Sequence, residues 1–206
     1  MIRDISPPIT PALKVWPGDT PPRREVLLDM KEGAGITLST LHATVHLGAH
    51  ADGPNHYGLD APAIDARPLE DYLGPCQVVD VAVARGCRFG PTALAEPVRA
   101  QRVLLRTGTF PDPTVFNEDF AAAAQELVHW LADQGVRLIG IDTPSVDLFD
   151  SKDLPAHRAC LERDLAILEG LVLAGVPAGL YELIALPLRL VGFDASPVRA
   201  VLRPLT

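Results

Sequence analysis

Between His46 and His56 the chain concentrates three of its six histidines beside a carboxylate, in the order His46-Leu47-Gly48-Ala49-His50-Ala51-Asp52-Gly53-Pro54-Asn55-His56. This stretch constrains the fold more than any other. A straight strand cannot bring the side chains to one point: they share parity, but at about 3.3 Å per residue its ends would lie about 33 Å apart. A helix is blocked by Gly53 and Pro54, although His46 and His50 alone have i, i+4 spacing. Gly48 and the run Asp52-Gly53-Pro54-Asn55 instead favour a bent loop that gathers the ligands. Neutral imidazole and carboxylate are preferred ligands for zinc and similar divalent ions. One further group of this kind, in a different role, can carry the proton in metal-assisted hydrolysis. The segment therefore points to an enzyme rather than a scaffold.

Other ligands must come from outside the loop. His157 precedes a charge-rich helical stretch, and Glu169 stands inside the apolar run Leu165-Ala166-Ile167-Leu168-Glu169-Gly170-Leu171-Val172. A carboxylate in such surroundings needs a partner, and a cation is the natural one. On one continuous helix His157 and Glu169 would face about 120° apart, so they converge only if that element breaks. Cys160 makes a His-x-x-Cys pair with His157, a weak signal without a second pair. His42 has the parity of the cluster but is expected to be structural, and His129 is expected to be solvated. Trp16, in Val15-Trp16-Pro17-Gly18-Asp19-Thr20-Pro21, is either a core indole or a stiffly held wall for an aromatic substrate.

At 206 residues, 48% of them apolar, the chain can bury a substantial core and is not disordered. Its formal charge of −8 argues against nucleic-acid or anionic-membrane partners. The first residues lack the basic and apolar blocks of a signal peptide, and no uncharged stretch is long enough to span a bilayer. Three widely spaced cysteines, with no C-x-x-C, suit free thiols in a reducing cytoplasm. Strand-like runs cover residues 77–83, 102–107 and 136–142. A helix is expected from about Asn117, as N-cap, to Gln134, with Phe120, Ala124, Leu127 and Leu131 on one face and Gly135 after its end. A second is expected from about Ala156 to Arg163, whereas 167–172 reads as either helix or strand. The mixture predicts an α/β fold over one domain, residues 1–206.

The segment His46-x-Gly-Ala-His50-x-Asp52-x-Pro-x-His56 resembles the signature of the metal-dependent cyclase-like hydrolases. The likeness runs nearly end to end, through Asp4-Ile5-Ser6-Pro7-Pro8, the Trp16-Pro17-Gly18-Asp19 phrase, Ile141-Asp142-Thr143-Pro144-Ser145-Val146-Asp147, Tyr181-Glu182-Leu183 and Asp194-Ala195-Ser196-Pro197-Val198-Arg199. Within that group the phrases at both ends are most similar to the bacterial kynurenine formamidases. The resemblance implies a single compact α/β domain with a barrel-like mixed sheet flanked by helices, usually in a homodimer. It implies two zinc ions: His46, His50 and Asp52 hold the first, Asp52 bridges to the second, His157 ligates the second and Glu169 contacts both. It further implies His56 as proton donor and acceptor, Trp16 as part of the substrate pocket, and hydrolysis of N-formyl-L-kynurenine to L-kynurenine and formate in tryptophan breakdown. The alternatives are a related hydrolase acting on a cyclic amide such as isatin, or a metal-binding protein without turnover.

Overall fold

The computed structural model describes residues 1–205. In chain order its first strands are β1 (Arg3–Asp4), β2 (Arg23–Leu28), β3 (Leu38–His42), β4 (His50–Asp52), β5 (Leu73–Asp80), β6 (Arg88–Phe89) and β7 (Arg102–Arg106). There follow β8 (Ala122–Ala123), helix α1 (Gln125–Asp133), β9 (Leu138–Ile141), helix α2 (Pro155–Glu162) and β10 (Ala166–Glu169). The chain ends with β11 (Gly179–Ile184), β12 (Ala195–Pro197) and β13 (Val201–Pro204).

Nine strands form one mixed sheet in the order β1-β13-β11-β5-β7-β9-β10-β4-β12. Its middle, β5-β7-β9-β10, is parallel, and antiparallel pairs flank it on both sides. Parallel strands are buried on both faces and therefore read as continuous apolar runs. Val103-Leu104-Leu105 and Ala166-Ile167-Leu168 do so, and all six are buried. Alternation sends Val78, Leu104, Leu138 and Leu168 to one side of the curled half-barrel, with Ile5, Tyr181 and Leu202. It sends Val79, Val103, Leu105, Ile139 and Ile167 to the other side, where Leu127 and Leu131 of α1 and Ala156, Ala159 and Cys160 of α2 cover them.

That alternation also places the chemistry. Glu169 follows Leu168 and so faces the same side as Ile167, toward α2. In the antiparallel pair β10–β4, Glu169 lies directly opposite His50 and Leu168 opposite Ala51, so His50 and Asp52 share the face of Glu169. The residues 167–172, ambiguous in the sequence, begin as strand and end at Gly170 (φ +65°), where a Cβ would stand 2.1 Å from the Gly48 carbonyl oxygen. Only glycine lets these two backbone segments meet.

The expected helix from Asn117 is a correction. α1 starts at Gln125, because the amides ahead of it are taken by other segments: Ala121 by Thr109 Oγ1, Ala122 by Cys87, Ala123 by Val146 and Ala124 by Phe89. Asn117 does not cap it; its amide donates to the Thr109 carbonyl at 3.1 Å. Phe120 and Ala124 are buried as expected, but on either side of a short strand rather than on a helical face. The other helix and the three strand runs fall within a few residues of their expected limits, although the first strand starts earlier, at Leu73.

Candidate metal centre

Three elements deliver the ligand-type side chains. The turn at Gly48 (φ +58°) folds His46 back over β4, which carries His50 and Asp52. α2 supplies His157 from its first turn, and β10 supplies Glu169 at its end. Asp52 Oδ1 lies 3.3 Å from His46 Nδ1 and 3.5 Å from His50 Nε2, while its Oδ2 lies 3.4 Å from His157 Nε2. Glu169 repeats the arrangement, with Oε2 3.3 Å from His50 Nε2 and Oε1 3.5 Å from His157 Nε2. Asp52 thus meets three imidazole rings and Glu169 two of the same three.

The far nitrogens of the three rings are fixed. His46 Nε2 donates to Asp194 Oδ2 at 3.0 Å, His50 Nδ1 to the Gly48 carbonyl at 2.9 Å, and His157 Nδ1 to Asp147 Oδ2 at 2.8 Å. Such partners set tautomer and ring orientation, leaving the inward nitrogen with its lone pair directed at a metal. Asp147 is itself held by the Arg88 guanidinium at 2.6 Å. Inside the cluster, His50 Nε2, His157 Nε2 and both oxygens of Asp52 are buried without a hydrogen-bond partner. Buried polar groups are rarely left unpaired, and bound cations would satisfy these atoms. The residues therefore fit a divalent metal.

The electrostatics agree. Burial opposes a charge on His46, but the hydrogen bond and charge of Asp52, with Asp194 and Glu169, outweigh it and raise its pKa to about 9. Burial likewise opposes a charge on His157, and Asp147, Asp52 and Glu169 raise it to about 10. Burial would raise Asp52, yet the neighbouring histidines hold it well below the usual carboxylate range. This pocket of protein favours positive charge, whether proton or metal. His56 differs: burial, with the charges of His46 and His157, lowers its pKa despite Asp52 and Glu169. Its ring centroid lies 4.3 Å from that of His46 with the planes tilted by 45°, and its Nδ1 stands 3.6 Å from Asp194 Oδ2, beyond hydrogen-bond range. The cluster forms one end of a cavity of about 580 Å³, which Trp16, Phe110 and Phe116 also line.

The family model "Cyclase: Putative cyclase" matches residues 3–148. The chain belongs to the Cyclase family. It is 46% identical to the kynurenine formamidase of Bordetella petrii and 47% identical to that of Bordetella avium, over 98% of this chain and 97% of each relative. A solved structure described as a potential metal-dependent hydrolase with cyclase activity is 28% identical, with a TM-score of 0.83 over 98% of this chain and 96% of that one. Isatin hydrolase A from Labrenzia aggregata, bound to benzyl benzoate, is 23% identical, with a TM-score of 0.84 over 98% of this chain and 93% of the other; that likeness concerns the fold.

In this Cyclase-family chain His46, His50, Asp52, His56, His157 and Glu169 all come together, and the break between α2 and β10 is what lets His157 meet Glu169. Trp16 combines both of its sequence readings: half-buried, it packs on Phe116 and Phe149 with centroids at 5.7 and 5.0 Å while lining the cavity. His42 stands apart, its Nε2 2.6 Å from Glu25 Oε2 on the β2–β3 hairpin. His129 is partly covered on α1, 3.6 Å from Glu162. Cys160 lies in the apolar layer under α2, where burial pushes its thiol pKa up. Sequence reasoning missed Asp147 and Asp194. Asp194 is 148 residues from His46 and arrives only because β12 pairs with β4, Ala195 opposite Asp52. The carboxylates opening or closing the phrases Asp194-Ala195-Ser196-Pro197 and Ile141 to Asp147 were the available signal.

Proposed function

We propose that this chain is a metal-dependent arylformamidase that hydrolyses N-formyl-L-kynurenine to L-kynurenine and formate. The observation that carries metal-assisted hydrolysis is the set of four buried, unpaired ligand atoms converging at one end of an aromatic-walled cavity. The narrower substrate rests on near-full-length identity to kynurenine formamidases. Isatin as substrate has weaker support, since the isatin hydrolase likeness lies at the level of fold. A binding protein without turnover is disfavoured by His56, an imidazole at the cavity wall with no hydrogen bond that ties it down.

His46, His50, Asp52, His157 and Glu169 would hold two divalent ions. Ligands of only nitrogen and oxygen suit zinc. When bound, such ions supply Lewis-acid activation of water and of a carbonyl. The protein does the rest. Asp194, the Gly48 carbonyl and Asp147 hold the three ligand rings in the required tautomers. Trp16 covers the aryl ring of the substrate, and the apolar wall around it limits competing water. His56 is neutral near pH 7 because burial disfavours its charge. It accepts a proton as water attacks the formyl carbon and returns one to the departing aniline nitrogen, a role worth about 10²–10⁴-fold in rate.

The same reading takes residues 1–206 as one catalytic domain working in the cytoplasm; no helix among the described residues is long and apolar enough to cross a membrane. It takes the enzyme as a homodimer, supported by the β2–β3 hairpin, on which Val26, Leu27, Leu28, Leu38 and Leu41 are all exposed. The test of the function is turnover of N-formyl-L-kynurenine with metal measured on the same sample. Activity that disappears on chelation and returns with zinc or manganese is expected. Full turnover by rigorously metal-free protein would refute it.

A further inference from the structure

Besides the histidine cluster and Glu169, four charged side chains line the cavity: Lys14, Asp19, Arg106 and Asp142. Two are already committed. Arg106 is neutralised by Asp80 and donates to the Val176 carbonyl. Asp19 accepts from Thr44 Oγ1 at 2.8 Å, and Thr44 Oγ1 in turn accepts from the His46 amide, so Asp19 sits at the histidine end.

Lys14 and Asp142 differ. Both are fastened to the segment 107–113: the Lys14 amide donates to the Pro113 carbonyl at 2.9 Å, and Asp142 accepts from the Thr107 amide and hydroxyl and the Gly108 amide at 2.7–2.9 Å. Gly108, Phe110, Pro111 and Pro113 of that segment line the same cavity. Among the described residues neither Lys14 nor Asp142 has an ion-pair partner. For exposed Lys14 this is ordinary. Asp142 is only 6% exposed, and a buried carboxylate normally has a cation beside it. Its three hydrogen bonds supply dipoles but no charge, and burial raises its pKa in spite of them.

One free cation and one cation-less carboxylate, both fastened to the same cavity-lining segment, match a zwitterion. We propose that Lys14 and Asp142 read the amino-acid head of the substrate, Lys14 binding the α-carboxylate and Asp142 the α-ammonium group. This rests on the formamidase reading and extends it to specificity: the metal end hydrolyses a formanilide, and the opposite charges select one that ends in an α-amino acid. A formyl group alone offers few handles, so discrimination among aryl formamides must come from such distant groups.

The experiment measures kcat/KM for four ortho-acyl formanilides on the zinc-loaded protein: N-formyl-L-kynurenine, the analogue lacking the α-amino group, the analogue lacking the α-carboxylate, and one lacking both. Wild type should prefer the complete head. Lys14→Met should lower kcat/KM for carboxylate-bearing substrates about tenfold relative to the others, and Asp142→Asn should do the same for ammonium-bearing ones. A merely structural Asp142, pinning residues 107–108, would instead lower all four alike, and that result overturns the proposal. Should Asp142→Asn fail to fold, wild type decides: equal kcat/KM with and without the α-amino group overturns Asp142's role. Turnover of none of the four refutes the formamidase reading itself, whereas turnover of all four at similar rates refutes only the reading of the head.

Discussion

His50 and His56 lie on either side of Asp52, and what each ring touches separates their roles. His50 is buried, its Nδ1 held by the Gly48 carbonyl and its Nε2 directed between two carboxylates. His50→Ala should therefore lose both metal and activity. His56 has no such tether, and His56→Ala should keep most of the metal while kcat falls by about 10²-fold or more. Equal loss of metal in both variants, measured by elemental analysis, would mean the roles are misassigned. Trp16 tests the pocket. Its ring packs against Phe116 and Phe149 yet remains part of the cavity wall. Trp16→Ala should retain metal and lower kcat/KM on formylated anilines by more than the about 0.5–1.5 kcal/mol of aromatic pairing alone, because contact area is also lost. A sharp drop in melting temperature with full specific activity in the folded fraction would instead make Trp16 a purely structural residue.

Elements meet at the site through backbone as much as through side chains. The end of β10 reaches the Gly48 turn because Gly170 has no Cβ, and the same turn holds the His50 ring. Gly170→Ala meets two penalties, a left-handed φ and an atom placed 2.1 Å from a carbonyl oxygen, together about 2–5 kcal/mol of stability. Gly175→Ala is the internal control: its φ is +73°, but nothing lies within 4 Å of the added carbon, so only the first penalty, about 1 kcal/mol, applies. Denaturant melts of both variants give the comparison, and equal losses would show that the close approach at Gly170 is unimportant. The Gly170 variant should also lose activity, because Glu169 and His50 shift together. The late start of α1 belongs to this scale as well. Its helical pattern is real through Leu127 and Leu131, but the four alanines before it are claimed by β6, the segment after β9 and Thr109.

For the whole molecule, the site is a concentration of charge inside an otherwise apolar body, so metal and proton are linked. In the metal-free protein the pKa of His46 is raised to about 9 and that of His157 to about 10, both above the unfolded value of 6.5. Their protonation therefore stabilises the fold fully below about pH 6.5, and that contribution is lost as the pH rises through about 9 to 10. The depressed Asp52 works oppositely, contributing above 3.8 and losing its effect as the pH falls below that value toward its own lowered pKa. Metal replaces the protons on the histidines, so affinity should rise with pH and binding should release protons. The gap in melting temperature between metal-loaded and chelator-treated protein should accordingly widen from about pH 6.5 to about pH 9. A gap that narrows over that range would contradict this linkage.

The sequence by itself determined the residue types of the site, the need for a bend between His46 and His56, and the apolar runs of the central strands, because those follow from local chemistry and from periods of two. The phrases along the chain carried the resemblance to the family as well. Tertiary structure decided which distant groups complete the cluster. Glu169 faces His50 because of the β10–β4 register, and Asp194 reaches His46 because β12 closes on β4. Asp147 locks His157 because the loop after β9 passes under the first turn of α2. The two strand pairings leave no local trace, since a cross-strand register depends on which strands pair and not on the residues between them.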